Sequence, residues 1–369
     1  MNVNVRNRKS VLFITNIPAP YRIDFFNELG RYCNLTVVFE ARRAAGVRFN
    51  WNDRKKKLFR AIFLSDGEID ETHVNWKIFS YLDKDRYDRI IATSYGYYTE
   101  MAALLWMRLR RIPYDLELDG GIVRPGEPFY KRLIKRRIIR GAGHLFSSGK
   151  ETDSLFLHYG GQADRLVRYP FTSLHAADVR DPADAEEKAE ARRQLGLKEE
   201  MVIVSIGQFI RRKGYDVLLK ACSGLDPKAG VHIIGGSPTE EYRALVSGYS
   251  LKNVAFHEFM DKASMQRFLR AADLFVLPTR EDMWGLVVNE AMAAGLPVVT
   301  TTACNAGKEL IEDGVNGFLV PPENPDALRD TLNGLIAAPH TMTVMGRNNS
   351  EKMRTCTIEE MARIQAEYL

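Results

Sequence analysis

The chain has 369 residues, 45% of them hydrophobic and 27% charged, with a formal net charge of +5. That composition belongs to a globular protein in water and excludes collagen-like, low-complexity and disulfide-scaffold classes, while the length predicts two domains. No apolar run reaches the roughly 18 residues of a spanning helix, and Cys33, Cys222, Cys304 and Cys356 show no CxxC spacing, so reduced thiols, no zinc site and a cytoplasmic setting are expected.

Basic Arg6, Arg8 and Lys9 precede Val11–Ile17, a seven-residue apolar run that ends in Pro18-Ala19-Pro20. A first strand accounts for it better than a signal peptide. Tyr21–Tyr32 reads as a helix with Ile23, Phe26 and Leu29 on one face. Leu35–Glu40 and Arg60–Leu64 read as strands, Asn75–Asp83 as helical and Tyr87–Thr93 as a strand. A helix over Thr99–Arg110, a strand over Tyr114–Leu118, a helix over Phe129–Arg140, a strand over His144–Ser148 and a helix over Lys150–Tyr159 follow. Pro170, Pro182 and small residues mark a linker near 169–184. Ala185–Leu195 restarts as a charged helix, and the alternation resumes through Met201–Ile206, Tyr215–Ala221, Val231–Gly235, Glu240–Ser247, Val254–His257 and Ser264–Ala272. Gly317–Val320 is a last short strand before a helical tail from Pro325. Strands alternating with helices of about 10–15 residues predict an α/β architecture of two Rossmann-like domains facing a central cleft. The expected domains are residues 1–172 and 173–355, with 356–369 a helix packing back on the first.

The densest signal is Leu274–Thr302, which reads as strand, polar loop, helix and strand. Ligands of open parallel sheets sit at the carboxyl ends of strands, where helix N-termini present free N–H groups. Gly285, Leu286 and Val287 form such an anion site, flanked by Asp282 and Glu290. A second cationic element follows the strand at 201–206: the loop from Gly207 and Gln208 presents Arg211, Arg212 and Lys213 before Gly214. Alone it is equally a solvated basic turn; with the Gly285 terminus it can converge on one diphosphate. Glu290, over a turn into the helix, suits a ribose diol because a carboxylate accepts two hydroxyl hydrogen bonds. Acidic residues near a helix start are also favoured by the macrodipole.

These segments resemble a known family. DMWGLVVNEAMAAGLPVV resembles the E-x7-E signature of the retaining glycosyltransferases of family 4, which have the GT-B fold, and GQFIRRKGYDVLLKA resembles that family's phosphate-binding strand-loop-helix. AADLFVLPT and ELIEDGVNGFLVPPENPDAL also fit, so the resemblance spans nearly all of Met201–Leu328, and the amino-terminal half fits the more variable acceptor domain. It implies that Lys213, helped by Arg212, binds the donor diphosphate with the Gly285–Val287 amides, and that Glu290 binds the ribose. Asp282 stands at the first Glu of the signature, which contacts the transferred sugar, and Glu281 beside it is a substitute. Gln208 stands where many members have Arg, which shifts diphosphate charge onto Arg211, Arg212 and Lys213. The base is expected against Glu258-Phe259-Met260. Where the family often has a His, this chain reads LELDGG, and Asp119 is the candidate for orienting a sugar hydroxyl or the acceptor; Glu117 and Asp119 could instead mimic a metal-binding carboxylate pair. His73 and His144 are read as structural. No cofactor and no metal are expected.

Residues 1–178 carry 30 Lys/Arg against 20 Asp/Glu, and the remainder 22 against 27. A basic amino-terminal half points to an anionic membrane or phosphorylated substrate, or to a solubilising surface. Arg108, Arg110 and Arg111 follow AALLWM, and in Phe129–Ile138 the apolar Phe129, Leu133, Ile134 and Ile138 alternate with Lys131, Arg132, Lys135 and Arg136. That pattern suits a helix on an anionic membrane, or one packed on a sheet with a solvated rim. The expected function is transfer of a hexose-type sugar from a nucleoside diphosphate donor to a hydroxyl of a saccharide, free or lipid-linked, in surface polysaccharide or glycolipid synthesis, by a cytoplasmic protein peripheral to the membrane. A nucleotide-sugar hydrolase or epimerase, and a non-catalytic sugar- or nucleic-acid-binding homologue, are the alternatives; interleaved aromatic platforms for nucleic acid are lacking.

Overall fold

The computed structural model describes residues 8–43, 58–70 and 72–369, so Arg6 lies outside the described residues. The chain divides into two compact units, Met1–Ser173 with Cys356–Leu369, and Leu174–Thr355.

The first unit contains β1 (Ser10–Thr15), α1 (Pro20–Leu29), β2 (Asn34–Phe39), β3 (Arg60–Phe63), β4 (Arg89–Ala92), α2 (Tyr98–Arg110), β5 (Asp115–Leu118), α3 (Phe129–Ile139), β6 (Leu145–Ser147), α4 (Lys150–His158) and β7 (Leu166–Arg168). Its strands form a parallel sheet of order β3-β2-β1-β4-β5-β6-β7. Parallel strands covered on both faces read as continuous apolar runs, and Val11, Leu12, Phe13 and Ile14 of β1 are all buried. Pro20 sits at the start of α1, where its missing N–H is harmless, and Gly30 ends the helix, earlier than the expected Tyr32. The segment expected as a helix over Asn75–Asp83 is instead a 3-10 helix, Trp76–Tyr81, capped by the Asn75 side chain.

The second unit contains α5 (Ala185–Leu195), β8 (Met201–Ile206), α6 (Tyr215–Cys222), β9 (Ala229–Ile234), α7 (Glu240–Gly248), β10 (Val254–His257), α8 (Lys262–Ala271), β11 (Leu274–Leu277), α9 (Leu286–Ala293), β12 (Val298–Thr301), α10 (Asn305–Leu310), β13 (Gly317–Val320), α11 (Pro325–Ile336) and α12 (Pro339–Met353). The sheet order is β10-β9-β8-β11-β12-β13, again parallel. Strand order reverses between β8 and β11, so the loops after these strands diverge around a crevice at the carboxyl edge, the usual ligand position in such sheets. Asp184 caps α5 reciprocally with Glu187, and Gly196 ends it in the left-handed conformation, a start and a stop set by local residues.

The last helix, α13 (Ile358–Ala366), belongs to the first unit, where it packs against α1. Gln365 there is buried and its Nε2 donates to Glu117 Oε2 at 2.5 Å.

Candidate active site in the second unit

The loop after β8 and the loop after β11 are stitched together by their backbones. Arg280 N donates to Arg212 O at 2.8 Å, and Thr279 Oγ1 donates to the same carbonyl at 2.9 Å. Residues Arg211–Lys213 form one 3-10 turn, and Gly214 follows at φ 70°. A Cβ on Gly214 would stand 2.1 Å from Pro278 O, so this turn reaches the β11 loop only with glycine there.

The chemistry sits where the two loops meet. Lys213 is buried, and its Nζ donates to Asp282 Oδ2 at 2.5 Å. Arg212 Nη1 lies 3.3 Å from Asp282 Oδ1 and donates to Glu281 O at 2.9 Å. Gly285, at φ 103°, opens α9. Its missing Cβ would lie 3.7 Å from Asp282 Cγ and 2.9 Å from Cys304 Sγ, so the helix terminus lies against the Asp282 carboxylate. The Leu286 and Val287 amides are in the first turn of that helix, whose N–H groups have no intrahelical acceptor. A buried ammonium, a guanidinium and a helix N-terminus thus converge around one carboxylate, which is an anion site carrying its own anion. Burial pushes the Cys304 thiol beside it up to about 11, so it is no thiolate nucleophile at neutral pH.

Gly207, Gln208, Arg211, Phe259 and Met260 lie on neighbouring loops of the same edge, and Glu290 and Asp119 lie elsewhere. Gly207 ends β8; a Cβ there would meet Lys213 Cε at 3.3 Å. Gln208 and Arg211 are exposed. Phe259 is exposed, with its ring 2.8 Å from where a Gly236 Cβ would be, and Met260 is half-buried. Ser237 Oγ donates to Glu258 Oε1 at 2.7 Å, joining the loops after β9 and β10. Glu290 lines a cavity of about 320 Å³ with Lys262, Met265, Gln266 and Asp178. Asp119 is in the first unit, where Tyr21 and Arg22 donate to its two oxygens at 2.8 and 2.5 Å. Arg22 also binds Glu117. Glu117 and Asp119 therefore flank a buried guanidinium rather than an open metal position.

Two residues that the sequence reading missed hold the site in shape. Arg280 donates from both Nη1 and Nη2 to Asp216 at 2.8 Å, from Nη1 to Arg211 O at 2.8 Å, and from Nε to Glu323 at 2.7 Å. This bidentate pair holds the Asp216 carboxyl below its ordinary range, the Arg280 hydrogen bond being the largest cause. The only signal in the sequence was a charged residue beside each known loop.

Residues 187–352 match the family model described as Glycosyl transferases group 1. The D-inositol 3-phosphate glycosyltransferase of Xylanimonas cellulosilytica is 30% identical over 220 residues, 57% of this chain and 52% of that protein; the chain thus spans about half the length of this relative. Over nearly the whole chain the fold matches Anabaena Alr3699/HepE, whose structure was determined with UDP and glucose, at a TM-score of 0.77 and 19% identity, covering 98% of this chain and 99% of that one. WaaG, a glycosyltransferase involved in lipopolysaccharide biosynthesis, matches at a TM-score of 0.70 and 17% identity, covering 97% and 99%. The expected fold class holds: both units are α/β with parallel sheets, and the fold is that of GT-B glycosyltransferases.

Proposed function

We propose that this protein is a retaining glycosyltransferase that moves a hexose-type sugar from a nucleoside diphosphate donor to a hydroxyl of a saccharide, free or lipid-linked. The observation that carries this reading is the convergence of Lys213, Arg212 and the α9 terminus at the switch point of the second sheet, within the stretch that matches the Glycosyl transferases group 1 model. The donor diphosphate takes the ammonium and guanidinium from Asp282, and the Leu286 and Val287 amides bind the same phosphates. Asp282, so released, turns to a hydroxyl of the sugar, with Glu281 beside it. Glu290 holds the ribose in its cavity, and the base lies against Phe259 and Met260. The bond from the anomeric carbon to the phosphate oxygen breaks as the acceptor oxygen bonds on the same face, and the acceptor proton passes to the departing phosphate. Negative charge develops on the leaving diphosphate in the transition state, where fixed cations act most strongly. No metal is required, because these cations already meet that charge. Asp119, held by Tyr21 and Arg22, orients the acceptor side. HepE's crystallisation with UDP and glucose and WaaG's role in lipopolysaccharide biosynthesis support a nucleotide-sugar donor and a surface-glycan product here.

The first unit also offers a membrane contact. On α3 Phe129, Tyr130 and Leu133 are 78%, 61% and 55% exposed, beside exposed Lys131, Arg132 and Arg137. Only Ile138 and Ile139 of this helix are buried, so the apolar residues of its first turns do not serve the core. Lys135, grouped with the outward cations by sequence, turns inward to Glu127. Leu109, Arg108 and Arg110 on α2 are exposed as well. An apolar strip rimmed by cations suits an anionic bilayer face, where a lipid-linked acceptor would be presented.

Thermal-shift measurements against UDP, GDP and their sugars test the donor assignment, since a bound nucleotide raises the melting temperature by mass action. Stabilisation by one nucleotide, abolished in Lys213→Ala together with a roughly 10²–10³-fold drop in kcat, is expected. No response to any nucleotide, or near-normal turnover in Lys213→Ala, overturns the reading.

A further inference from the structure

A second polar pocket lies in the first unit, at the carboxyl ends of β2 and β3. It has a volume of about 410 Å³ and is lined by Glu40, Glu68, Asp70, His73, Trp76 and Lys77, among others. Its floor is chemically unfinished. Glu40, only 5% exposed, accepts a hydrogen bond from Thr99 Oγ1 on one oxygen, and its other oxygen, Oε2, has no hydrogen-bond partner among the described residues. Behind it, in the first turn of α2, Glu100 is fully buried with neither carboxylate oxygen in a well-formed hydrogen bond. Burial first, and the Glu40 charge second, push the Glu100 carboxyl up to about 8, so it is protonated at neutral pH. A buried carboxylate oxygen without a partner is unfavourable, and ligand sites are where such groups persist.

The surroundings narrow the ligand. Glu68 and Asp70 are exposed at the pocket, His73 Nδ1 is engaged by Asp70 at 3.0 Å, and Lys77 is the one lysine among the described lining residues. Acidic groups thus outnumber basic ones among the described lining residues, a balance that disfavours a phosphate or carboxylate and favours a cation. Among the described residues no group of three or more His, Cys, Asp or Glu side chains is disposed to hold a metal ion. An ammonium fits better, since it brings three donors to the Glu40 oxygen and its neighbours. Trp76, 76% exposed, supplies a flat apolar face of the kind on which the C–H side of a sugar ring rests.

We propose that this pocket binds an amine-bearing sugar ring, its ammonium on Glu40 and its apolar face on Trp76, and that this ring is part of the acceptor. Its place in the acceptor rests on the glycosyltransferase reading; its charge rests on the pocket alone. The test is isothermal titration of the whole protein, without donor, with glucosamine, N-acetylglucosamine and glucose at pH 7. Glucosamine should bind at least about tenfold more tightly than either neutral sugar, a difference of about 1.4 kcal/mol, and Glu40→Gln should erase the preference. The double variant Glu68→Gln/Asp70→Asn, confined to exposed positions, should weaken glucosamine several-fold without touching the core. Equal binding of the three sugars, no binding of glucosamine at saturating concentrations, an undiminished preference in Glu40→Gln, or competition by magnesium or calcium ions for the same pocket would each overturn the proposal. A parallel UDP thermal shift separates the two ideas: its absence sinks the transferase reading while leaving amine binding to be judged on the titrations.

Discussion

Replacing Asp282 by Asn keeps the side chain's shape and removes one charge from the centre of the candidate site. Asp282 accepts from Lys213 Nζ at 2.5 Å and lies 3.3 Å from Arg212 Nη1, with the Lys213 and Asp282 side chains 11% and 10% exposed. An incoming diphosphate must compete with this carboxylate for both cations. A hydrogen bond to a charged group contributes about 1.5–3 kcal/mol. The Asn oxygen still accepts from the ammonium and recovers a part of that, so the competition removed is about 1–1.5 kcal/mol. The expected result is roughly tenfold tighter binding of UDP, or of whichever nucleoside diphosphate the protein selects. Stability should move the other way. Removing one partner of a buried pair outright costs about 3–5 kcal/mol, and the retained amide reduces this to roughly 1–3 kcal/mol, a fall of about 2–4 °C in Tm for each kcal/mol in a unit of this size. Turnover should fall while nucleotide affinity rises, because the sugar loses its carboxylate. Titration calorimetry with the nucleotide and a melting curve on the same sample read both quantities. Weaker or unchanged nucleotide affinity in Asp282→Asn would show that Asp282 does not compete for Lys213, and the account of how the site exchanges its own anion for the donor's would fall.

Gly285→Ala places a Cβ 2.9 Å from Cys304 Sγ at a backbone φ of 103°, so a loss of about 1–3 kcal/mol in stability and weaker nucleotide binding are expected; wild-type values for both would refute the need for glycine at this terminus. Glu100 is protonated in the fold up to about pH 8 but ionises near its ordinary 4.5 in the unfolded chain, so the folded state binds the extra proton between those values and stability falls as pH rises through that window. Glu100→Gln should flatten the slope in denaturant titrations from pH 5 to 8, and an unchanged slope would assign it to other groups. Replacing Phe129 and Leu133 by Ser together with Lys131 and Arg132 by Gln should abolish sedimentation with anionic liposomes while leaving melting temperature and transfer to a soluble acceptor intact. Persistent liposome binding would move the membrane contact elsewhere.

Legibility followed the reach of the interactions involved. The second unit was readable because its signals are local: the β11–α9–β12 segment carries its strand, turn glycine and helix within thirty residues, and Asp184 with Glu187 and Gly196 spells the start and stop of α5. The short α10, six residues with Asn305 and Gly307 in it, has no apolar period to read and is held by tertiary bonds such as Asn305 Nδ2 to Met283 O. The three-residue β7 is similarly too short for alternation to show. In α3 the helix was legible but the partition of its faces was not, since a pattern of cations and apolar residues does not say that Glu127 draws Lys135 inward.

The candidate site was legible residue by residue and illegible as an arrangement. Lys213, Arg212, Asp282 and Gly285 could each be named from their motifs, but whether Asp282 faces a sugar or a lysine is a question of where two loops, 69 positions apart in the Lys213–Asp282 pair, come to rest. Arg280 answers it: by clasping Asp216, Glu323 and the Arg211 carbonyl at once it fixes the spacing of those loops, and no motif distinguishes it from the arginines around it. The same limit hid the acidic pocket of the first unit. Glu40 follows a strand, and Glu68 and Asp70 sit in a loop after the next one, three unremarkable acids in the sequence whose meaning comes only from sharing a pocket edge where one Glu40 oxygen has no donor among the described residues. Chemistry of that kind is set by what is missing from a site, and a missing partner is visible only once every neighbour has been placed.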